Sequence, residues 1–237
     1  MKHQTLNKAE SDVVKPIKRG MLGHFFYWLG MSLTHRMIHL EAEGLENIPQ
    51  EQPYILASNH ETYVDGMIIA SFLPKHQFKY FTSLAAQDLL TDHGLFGRII
   101  MSVGQGIPLD RKGSPTRGLI SAKHHVEAGN ILLVHPEGTR TADGKLGVIH
   151  NGAAFIAKKT NVPLVPVFID GAYEVFNRHM RWPKGKDPIT KQKRSVIIRF
   201  GQPLLPQQFQ KAKDMTEKLK LWLHEQFNQK QSRRIYT

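Results

Sequence analysis

The sequence predicts a single α/β domain in which helices flank a central, mixed sheet. Short apolar runs typical of buried strands alternate with stretches of helical spacing along most of the chain. Glycine, proline and polar residues separate these elements. The 237 residues are enough for one domain with a substantial core, but few for two. We therefore expect one folded domain over residues 39–237, preceded by a distinct N-terminal segment over residues 1–38.

The N-terminal segment differs in character from the rest of the chain. Residues 1–16 are polar and charged, which predicts a loosely ordered tail. The longest apolar stretch follows at residues 21–33, and it is well short of the roughly 20 residues that a spanning helix needs. It combines bulky apolar side chains with flanking basic ones, which favours a helix lying on a membrane surface. Two alternatives stay open, a secretory signal peptide without a prompt cleavage site and an ordinary core helix.

The first elements of the domain alternate between strand and helix. A short extended segment at residues 39–43 leads to an apolar run at 54–59, which predicts a buried strand. Residues 64–73 have helical spacing and stop at Pro74. The aromatic-rich run at 78–84 predicts the next strand.

The middle of the chain continues this alternation. A helical stretch through residues 95–100 precedes a short strand that ends in a loop, over residues 104–111. Ser114 is a suitable N-cap and Pro115 a suitable first residue for the following helix. Gly129 supplies the C-terminal stop of that helix.

The last third of the chain completes the sheet and its helical cover. Residues 131–134 predict a central strand, and residues 152–161 a helix. Two further strands are predicted at 162–169 and 195–204, and a final amphipathic helix begins near Phe209. Ligands of such a fold lie beyond the carboxyl ends of the strands, where two polar loops of this chain fall.

Composition excludes several kinds of chemistry. The chain has no cysteine, so it has no disulfide framework, thiolate nucleophile or cysteine-ligated metal. Its 32 Lys and Arg against 20 Asp and Glu give a net charge of +12, which attracts phosphate, anionic lipid or an acidic protein. No recognition motif for nucleic acid accompanies this charge, so no nucleic-acid partner is expected. The chain offers no cysteine ligand, and we expect neither a metal nor a cofactor.

His60 and Asp65 are the first pair suited to catalysis. Residues five apart lie about 140° apart on a regular helix, so a turn must bring this pair together. With His60 leaving a strand and Asp65 opening a helix, the carboxylate can accept from one imidazole nitrogen while the other faces the site. Such a histidine acts as a base on a substrate hydroxyl that attacks an acyl carbonyl. The alternative is an incidental histidine beside a helix-capping aspartate.

A second polar loop follows the strand at residues 131–134. Gly138 permits close backbone approach to a ligand, and Arg140 suits a phosphate because its guanidinium fork matches phosphate oxygens. Arg111, at the end of the short strand and loop predicted over residues 104–111, is a second cation suited to binding phosphate. Glu137 resembles an acceptor for backbone N–H groups more than a general acid. Taken separately, each arginine is equally compatible with a surface position.

Four ordered blocks of the sequence resemble the glycerophospholipid acyltransferase family, of the 1-acylglycerol-3-phosphate acyltransferase type. The first is NHETYVD at residues 59–65, which matches the family's His-x4-Asp, and the second is GIPLDR at 106–111. The third is HPEGTR at 135–140, close to the usual Phe-Pro-Glu-Gly-Thr-Arg. The fourth is VPLVPV at 162–167, which fits Val-Pro-x-x-Pro. Together the blocks are highly specific, and the resemblance covers about residues 40–205.

The resemblance implies a membrane-associated acyltransferase of phospholipid biosynthesis, with acyl-ACP or acyl-CoA as donor and a lysophospholipid as acceptor. It implies that residues 39–237 form the acyltransferase domain. His60 is implied as the base and Asp65 as its partner. The residues implied to bind substrate are Arg111, Glu137, Gly138, Thr139 and Arg140.

The sequence departs from the family pattern at three places. Ala86 and Gln87 stand where many members carry a lysine that helps to hold the acceptor phosphate. His135 replaces the common phenylalanine before Pro-Glu-Gly, and residues 149–151 replace an aromatic-lysine pair. These changes keep the proposed catalytic pair but weaken the assignment of 1-acylglycerol 3-phosphate as acceptor.

Three hypotheses follow for the function. The first is acyl transfer to the free hydroxyl of 1-acylglycerol 3-phosphate, forming phosphatidic acid. The second is the same chemistry on another lysolipid or a glycolipid. The third is a lipid-binding protein without catalysis. In each case we expect a peripheral location, at the cytoplasmic face of a membrane.

Overall fold

The computed structural model describes residues 19–87, 89, 94–109 and 115–235. Its helices and strands, in chain order, are α1 Gly20–Met37, β1 His39–Glu43, β2 Ile55–Ser58, α2 Asp65–Ser71, β3 Phe81–Ala86, α3 Gly94–Val103, β4 Gly106–Leu109, α4 Pro115–Glu127, β5 Ile131–Val134, α5 Gly152–Thr160, β6 Leu164–Asp170, α6 Ala172–Phe176, β7 Ser195–Phe200 and α7 Ala212–Ile235. Strand and helix alternate as the sequence predicts.

In the described part of the chain, seven strands form one sheet in the order β1-β7-β6-β2-β5-β3-β4. The β6–β7 pair is antiparallel and the other pairs are parallel, so the sheet is mixed. β2 lies between β5 and β6, and every residue of β2 and β5 is buried. Because β2 and β5 are parallel neighbours, the loops that leave their carboxyl ends meet at one edge of the sheet.

Hydrophobic clusters cover both faces of the sheet. Along β2, Leu56 joins a cluster with α2 and α6, whereas Ile55 and Ala57 join one with α4, α5 and α7. This is the period-two alternation of side chains on a strand. The first face is therefore covered by α2 and α6, and the second by α4, α5 and α7. The predicted α/β domain with a mixed sheet flanked by helices is confirmed.

Some boundaries differ from the sequence prediction. The strand predicted from residue 78 begins at Phe81, because residues 78–80 form a 3-10 turn. The strand predicted to reach residue 204 ends at Phe200, although Leu204 still forms an isolated antiparallel bridge with Leu164 of β6. Helix α6 was not predicted, since its five residues are too few for a periodic pattern. The predicted N-cap Ser114 lies outside the described residues.

Helix α1 exposes much of its apolar surface. Met21 is 90% exposed and Trp28 67%, while Gly23 and Met31 on the inner side are buried. Its start is held by the buried Arg19, whose Nε donates to the Val103 carbonyl at 2.7 Å. This exposure distinguishes α1 from an ordinary core helix. Among the described helices, none has the length and apolar character to cross a membrane.

Candidate active site

The turn between β2 and α2 brings His60 and Asp65 together. β2 ends at Ser58 and Asp65 is the first residue of α2, so the two side chains face each other across a tight turn. His60 Nδ1 lies 2.9 Å from Asp65 Oδ2. Asp65 has no solvent exposure, whereas 21% of the His60 side chain is exposed. The sequence interpretation of a strand-to-helix turn therefore describes this geometry.

The Asp65 carboxylate is held in place by donors on both of its oxygens. Oδ2 accepts from the backbone N–H of Glu61 at 2.7 Å and Oδ1 from the Thr62 hydroxyl at 2.6 Å. Burial raises the pKa of Asp65, but the hydrogen bond and the charge of His60, followed by His135 and Thr62, outweigh it, and the net shift is downward. Because an ionised carboxylate only accepts, His60 carries its proton on Nδ1 and keeps a lone pair on Nε2.

The ring of His135, the first residue after β5, stacks on the ring of His60. The two centroids are 3.8 Å apart and the planes differ by 6°. Nδ1 of His135 lies 3.1 Å from the carbonyl oxygens of both Ser58 and Asn59, so this nitrogen is the protonated donor. Desolvation, and then the neighbouring His60, lower the pKa of His135 to about 3. A neutral aromatic ring therefore backs the His60 imidazole.

His60, Asp65 and His135 also form a compact group of potential metal ligands. Two features of their geometry favour acid–base chemistry instead. The stacked rings are nearly parallel, so their nitrogen lone pairs run side by side rather than converging on one ion. The Asp65 oxygens already accept several hydrogen bonds.

The loop after β5 is organised by Glu137. Its Oε1 accepts from the His60 backbone N–H at 2.8 Å, and its Oε2 from that of Gly147 at 2.6 Å. Burial raises the pKa of Glu137, although these N–H groups oppose the shift. Gly138 follows with φ +70°, a conformation that glycine adopts without strain. Glu137 therefore ties the two polar loops together, in agreement with its interpretation as an acceptor for backbone N–H groups.

A cavity of about 610 Å³ opens beside this pair of loops. Its polar end is lined by His60, His135, Gly138, Thr139, Arg140 and Arg178. Its apolar part runs between α1, α2, α3 and the ends of β3 and β4, and it includes Phe26, Leu29, Leu33, Met67, Leu84, Phe96, Ile99, Ile100 and Leu109. The cavity thus joins a polar, cationic end to a long apolar region.

The structure describes one of the two arginines predicted to bind phosphate, and the residues that stand where the family pattern has a lysine. The Arg140 guanidinium lies 3.4 Å from the Tyr63 ring centroid, a cation–π arrangement at the polar end of the cavity. Arg111 lies outside the described residues. Of the two residues that stand where the family pattern has a lysine, Ala86 lines the cavity with apolar surface and Gln87 is exposed.

A buried ion pair behind the site was not recognised in the sequence. Lys230, on the C-terminal helix α7, lies 2.8 Å from Glu61 and 3.7 Å from Asp170. Glu61 also accepts from the Tyr173 backbone N–H at 2.7 Å. Burial raises the pKa of Glu61 to about 7, with Lys230 opposing the shift. Glu61 follows His60 directly, so α7 supports the turn that carries the His60 ring.

Comparison with known proteins identifies related sequences. The model of the family described as Acyltransferase matches residues 39–170. A 1-acyl-sn-glycerol-3-phosphate acyltransferase of chloroplasts from Brassica napus is 29% identical over 160 residues, which are 64% of this chain and 43% of that protein. The 1-acyl-sn-glycerol-3-phosphate acyltransferase alpha from Ovis aries is 30% identical over 177 residues, 72% of this chain and 56% of that protein. The chain thus spans about half the length of these curated relatives.

A solved structure shares the fold. The crystal structure of the 1-acyl-sn-glycerophosphate acyltransferase PlsC from Thermotoga maritima matches with a TM-score of 0.70 and 23% identity. The match covers 89% of this chain and 80% of that one. At this level of identity the likeness concerns the fold alone.

Proposed function

The chain belongs to the acyltransferase family, and on that premise we propose that it moves an acyl group from a thioester to the free hydroxyl of 1-acylglycerol 3-phosphate. The observation that carries this proposal is the 2.9 Å contact between His60 and Asp65 at the polar end of a largely apolar cavity. The similarity to proteins named 1-acyl-sn-glycerol-3-phosphate acyltransferase supports the choice of acceptor. Acyl-ACP or acyl-CoA is the proposed donor.

In the proposed reaction His60 is the general base. Its Nε2 takes the proton of the acceptor hydroxyl while the oxygen bonds to the carbonyl carbon of the thioester. Asp65 holds Nδ1–H and stabilises the imidazolium that forms. When the tetrahedral intermediate collapses, the carbon–sulfur bond breaks and the thiolate takes the proton from Nε2. The products are an ester and a free thiol, and no covalent enzyme intermediate is needed.

The two parts of the cavity suit the two parts of the lipid substrates. Arg140 and Arg178 line its polar end, where a phosphate group gains from guanidinium donors. The apolar side chains of α1 and α3 suit hydrocarbon. We propose that Gly138, Thr139, Arg140 and Arg111 bind the acceptor.

Substitution of His60 tests the mechanism. Purified wild type and His60→Ala are compared for acylation of 1-acylglycerol 3-phosphate in lipid vesicles, with acyl-ACP and with acyl-CoA. Loss of a general base is expected to lower kcat by roughly 10²–10⁴-fold. Equal rates in the two proteins, at equal thermal stability, would refute the mechanism. The donor that supports turnover identifies the carrier.

A second candidate is the same transfer to another lysolipid or a glycolipid. Ala86 and Gln87 favour it, because neither supplies the cation that the family pattern provides for the acceptor phosphate. Rates measured with matched acceptors that differ only in the headgroup separate the two candidates. A preference for an acceptor without a terminal phosphate supports the second, whereas a preference for 1-acylglycerol 3-phosphate supports the first.

We also propose that α1 attaches the protein peripherally to a membrane surface, on the cytoplasmic side. Its exposed apolar side chains are bulky and lie next to the apolar part of the cavity, a position from which a lipid can enter. Deleting residues 1–38 is expected to lower vesicle binding more than it lowers the thermal stability of residues 39–237. Unchanged vesicle binding in that variant contradicts this role of α1.

A further inference from the structure

The loop between α6 and β7 carries much of the positive charge of the protein. From Arg178 to Arg194 it contains seven Lys and Arg and one Asp, a net charge of +6, which is half of the +12 of the whole chain. The side chains of Lys184, Lys186 and Lys193 are exposed. We call residues 178–194 the cationic loop. Such a density of like charge is costly unless an anionic partner offsets it.

Two large apolar side chains are exposed within the cationic loop. Trp182 is 72% exposed and Ile189 87%. The one carboxylate, Asp187, accepts from the backbone N–H groups of Ile189 and Thr190, so it shapes the turn. Exposed tryptophan among lysines and arginines is typical of a surface that meets lipid headgroups.

Hydrogen bonds fix the cationic loop to the mouth of the cavity. Arg178 lines the cavity, and its Nη1 donates to the Arg140 carbonyl at 3.3 Å. His179 Nε2 lies 3.0 Å from the Ala142 carbonyl. The N-terminal end of the loop is therefore attached to the same segment that carries Gly138.

The far end of the cationic loop is attached beside α1. The His39 backbone N–H donates to the Arg194 carbonyl at 2.9 Å, directly after α1. Gly185 packs so closely on Met37, the last residue of α1, that an added Cβ would lie 2.6 Å from its carbonyl oxygen. Val175, just before the loop, packs in the core cluster of the first sheet face. The cationic loop therefore lies beside the C-terminal end of α1, the helix that exposes apolar side chains.

We propose that the cationic loop is a second membrane contact, which binds anionic lipid headgroups while α1 enters the apolar layer. The proposal rests on the membrane attachment proposed for α1, which it extends to a named lipid chemistry. Both attachments flank the cavity, so lipid binding would hold its polar end at the level of the headgroups. Cations alone would equally suit an acidic carrier protein. Trp182, Ile189 and the exposed apolar side chains of α1 favour the membrane.

The test neutralises the loop and compares it with a matched control. In the loop variant, Lys184, Lys186, Lys191 and Lys193 are changed to Gln. In the control, Lys211, Lys213, Lys218 and Lys220 are changed to Gln; these exposed lysines precede or lie on α7, which covers the opposite face of the sheet. Both variants lose four positive charges. Sedimentation measures the binding of each protein to vesicles of phosphatidylcholine, with and without phosphatidylglycerol.

A cation near an anionic surface is worth roughly fivefold in partitioning, so if only two of the four lysines lie at the surface their loss is expected to weaken binding to the anionic vesicles ~25-fold. The control is expected to change by about threefold or less, because its charges are far from the bilayer. Binding to phosphatidylcholine alone is expected to change little in either variant. Equal losses in loop variant and control, or no loss in the loop variant, overturn the proposal.

Two further measurements separate this proposal from its alternatives. If the loop variant binds vesicles normally but shows a higher KM for acyl-ACP and an unchanged KM for acyl-CoA, the loop serves a carrier protein and the proposal is wrong. His60→Ala is expected to bind vesicles like wild type, so vesicle binding is read independently of acyl transfer. If the loop variant fails to fold, the pair Lys184→Gln and Lys186→Gln replaces it, with an expected loss of at least ~5-fold.

Discussion

Replacing Lys230 by methionine is expected to destabilise the protein through Glu61. Methionine keeps the length and apolar stem of the lysine but removes the ammonium that lies 2.8 Å from the Glu61 carboxylate. Both side chains are nearly fully buried, with 4% and 3% exposed, so water cannot replace the lost partner. The Tyr173 N–H remains as a donor to Glu61, and Arg199 remains 3.1 Å from Asp170.

The magnitude follows from the cost of an uncompensated buried charge. Removing one partner of a buried ion pair costs about 3–5 kcal/mol, and the remaining donors place this case near the lower end, at about 3 kcal/mol. For a chain of this size the corresponding fall in Tm is roughly 6–12 °C. In Glu61→Gln with Lys230→Met both charges are absent, so the double variant is expected to lose about 1 kcal/mol.

The cost of Lys230→Met is also expected to depend on pH. The pKa of Glu61 is raised to about 7 in the folded protein, above its ordinary value of 4.5, mainly by burial. The folded state therefore binds a proton more readily than the unfolded state, and the resulting stability is present below about pH 4.5 and lost as pH rises through about 7. Removing Lys230 raises this pKa further, so the variant is expected to be closer to wild type at pH 5.5 than at pH 8.

Urea unfolding of wild type, both single variants and the double variant measures these free energies. The pH series repeats the experiment above and below the pKa of Glu61. A loss below about 1 kcal/mol for Lys230→Met at pH 8, or a double variant whose loss equals the sum of the singles, would show that the pair contributes little. If the kcat of Lys230→Met falls only as far as its folded fraction falls, α7 supports the fold without positioning His60.

Three more substitutions test the site itself. Asp65→Asn is expected to lower kcat on the order of 10³-fold, because an amide no longer holds the His60 tautomer or stabilises its imidazolium. His135→Phe keeps a stacked ring and is expected to retain activity. His135→Ala loses the stack, and its kcat is expected to be ~2–10-fold below that of His135→Phe. Glu137→Gln leaves one backbone N–H, of His60 or Gly147, without an acceptor and is expected to lower Tm by roughly 2–10 °C.

Each of these variants has an outcome that contradicts its reasoning. Normal turnover by Asp65→Asn would remove Asp65 from the proposed mechanism. Equal kcat values for His135→Phe and His135→Ala, with equal thermal stability, would show that stacking on His60 does not matter. An unchanged Tm for Glu137→Gln would show that its two backbone contacts add no net stability.

Local sequence patterns were sufficient to predict most helices and strands and the pairing of His60 with Asp65. The apolar run ending before His60 marks β2, and the five-residue interval to Asp65 requires the turn that the structure contains. The alternating strand and helix pattern predicts the α/β class because period two and period 3.6 are properties of short segments. The four ordered motifs indicated the acyltransferase family, and the family model confirms it over residues 39–170.

Contacts between distant segments were decided by tertiary structure alone. Glu61 and Lys230 are separated by 169 residues, and nothing in the local pattern around either one points to the other. The stacking of His135 on His60 depends on β2 and β5 being neighbours, a strand order that the sequence pattern leaves open. The sequence by itself determined the elements and the residue types at their ends, because these depend on neighbours along the chain. Only the packed sheet decided which ends meet, because strand order is set by the burial of whole faces.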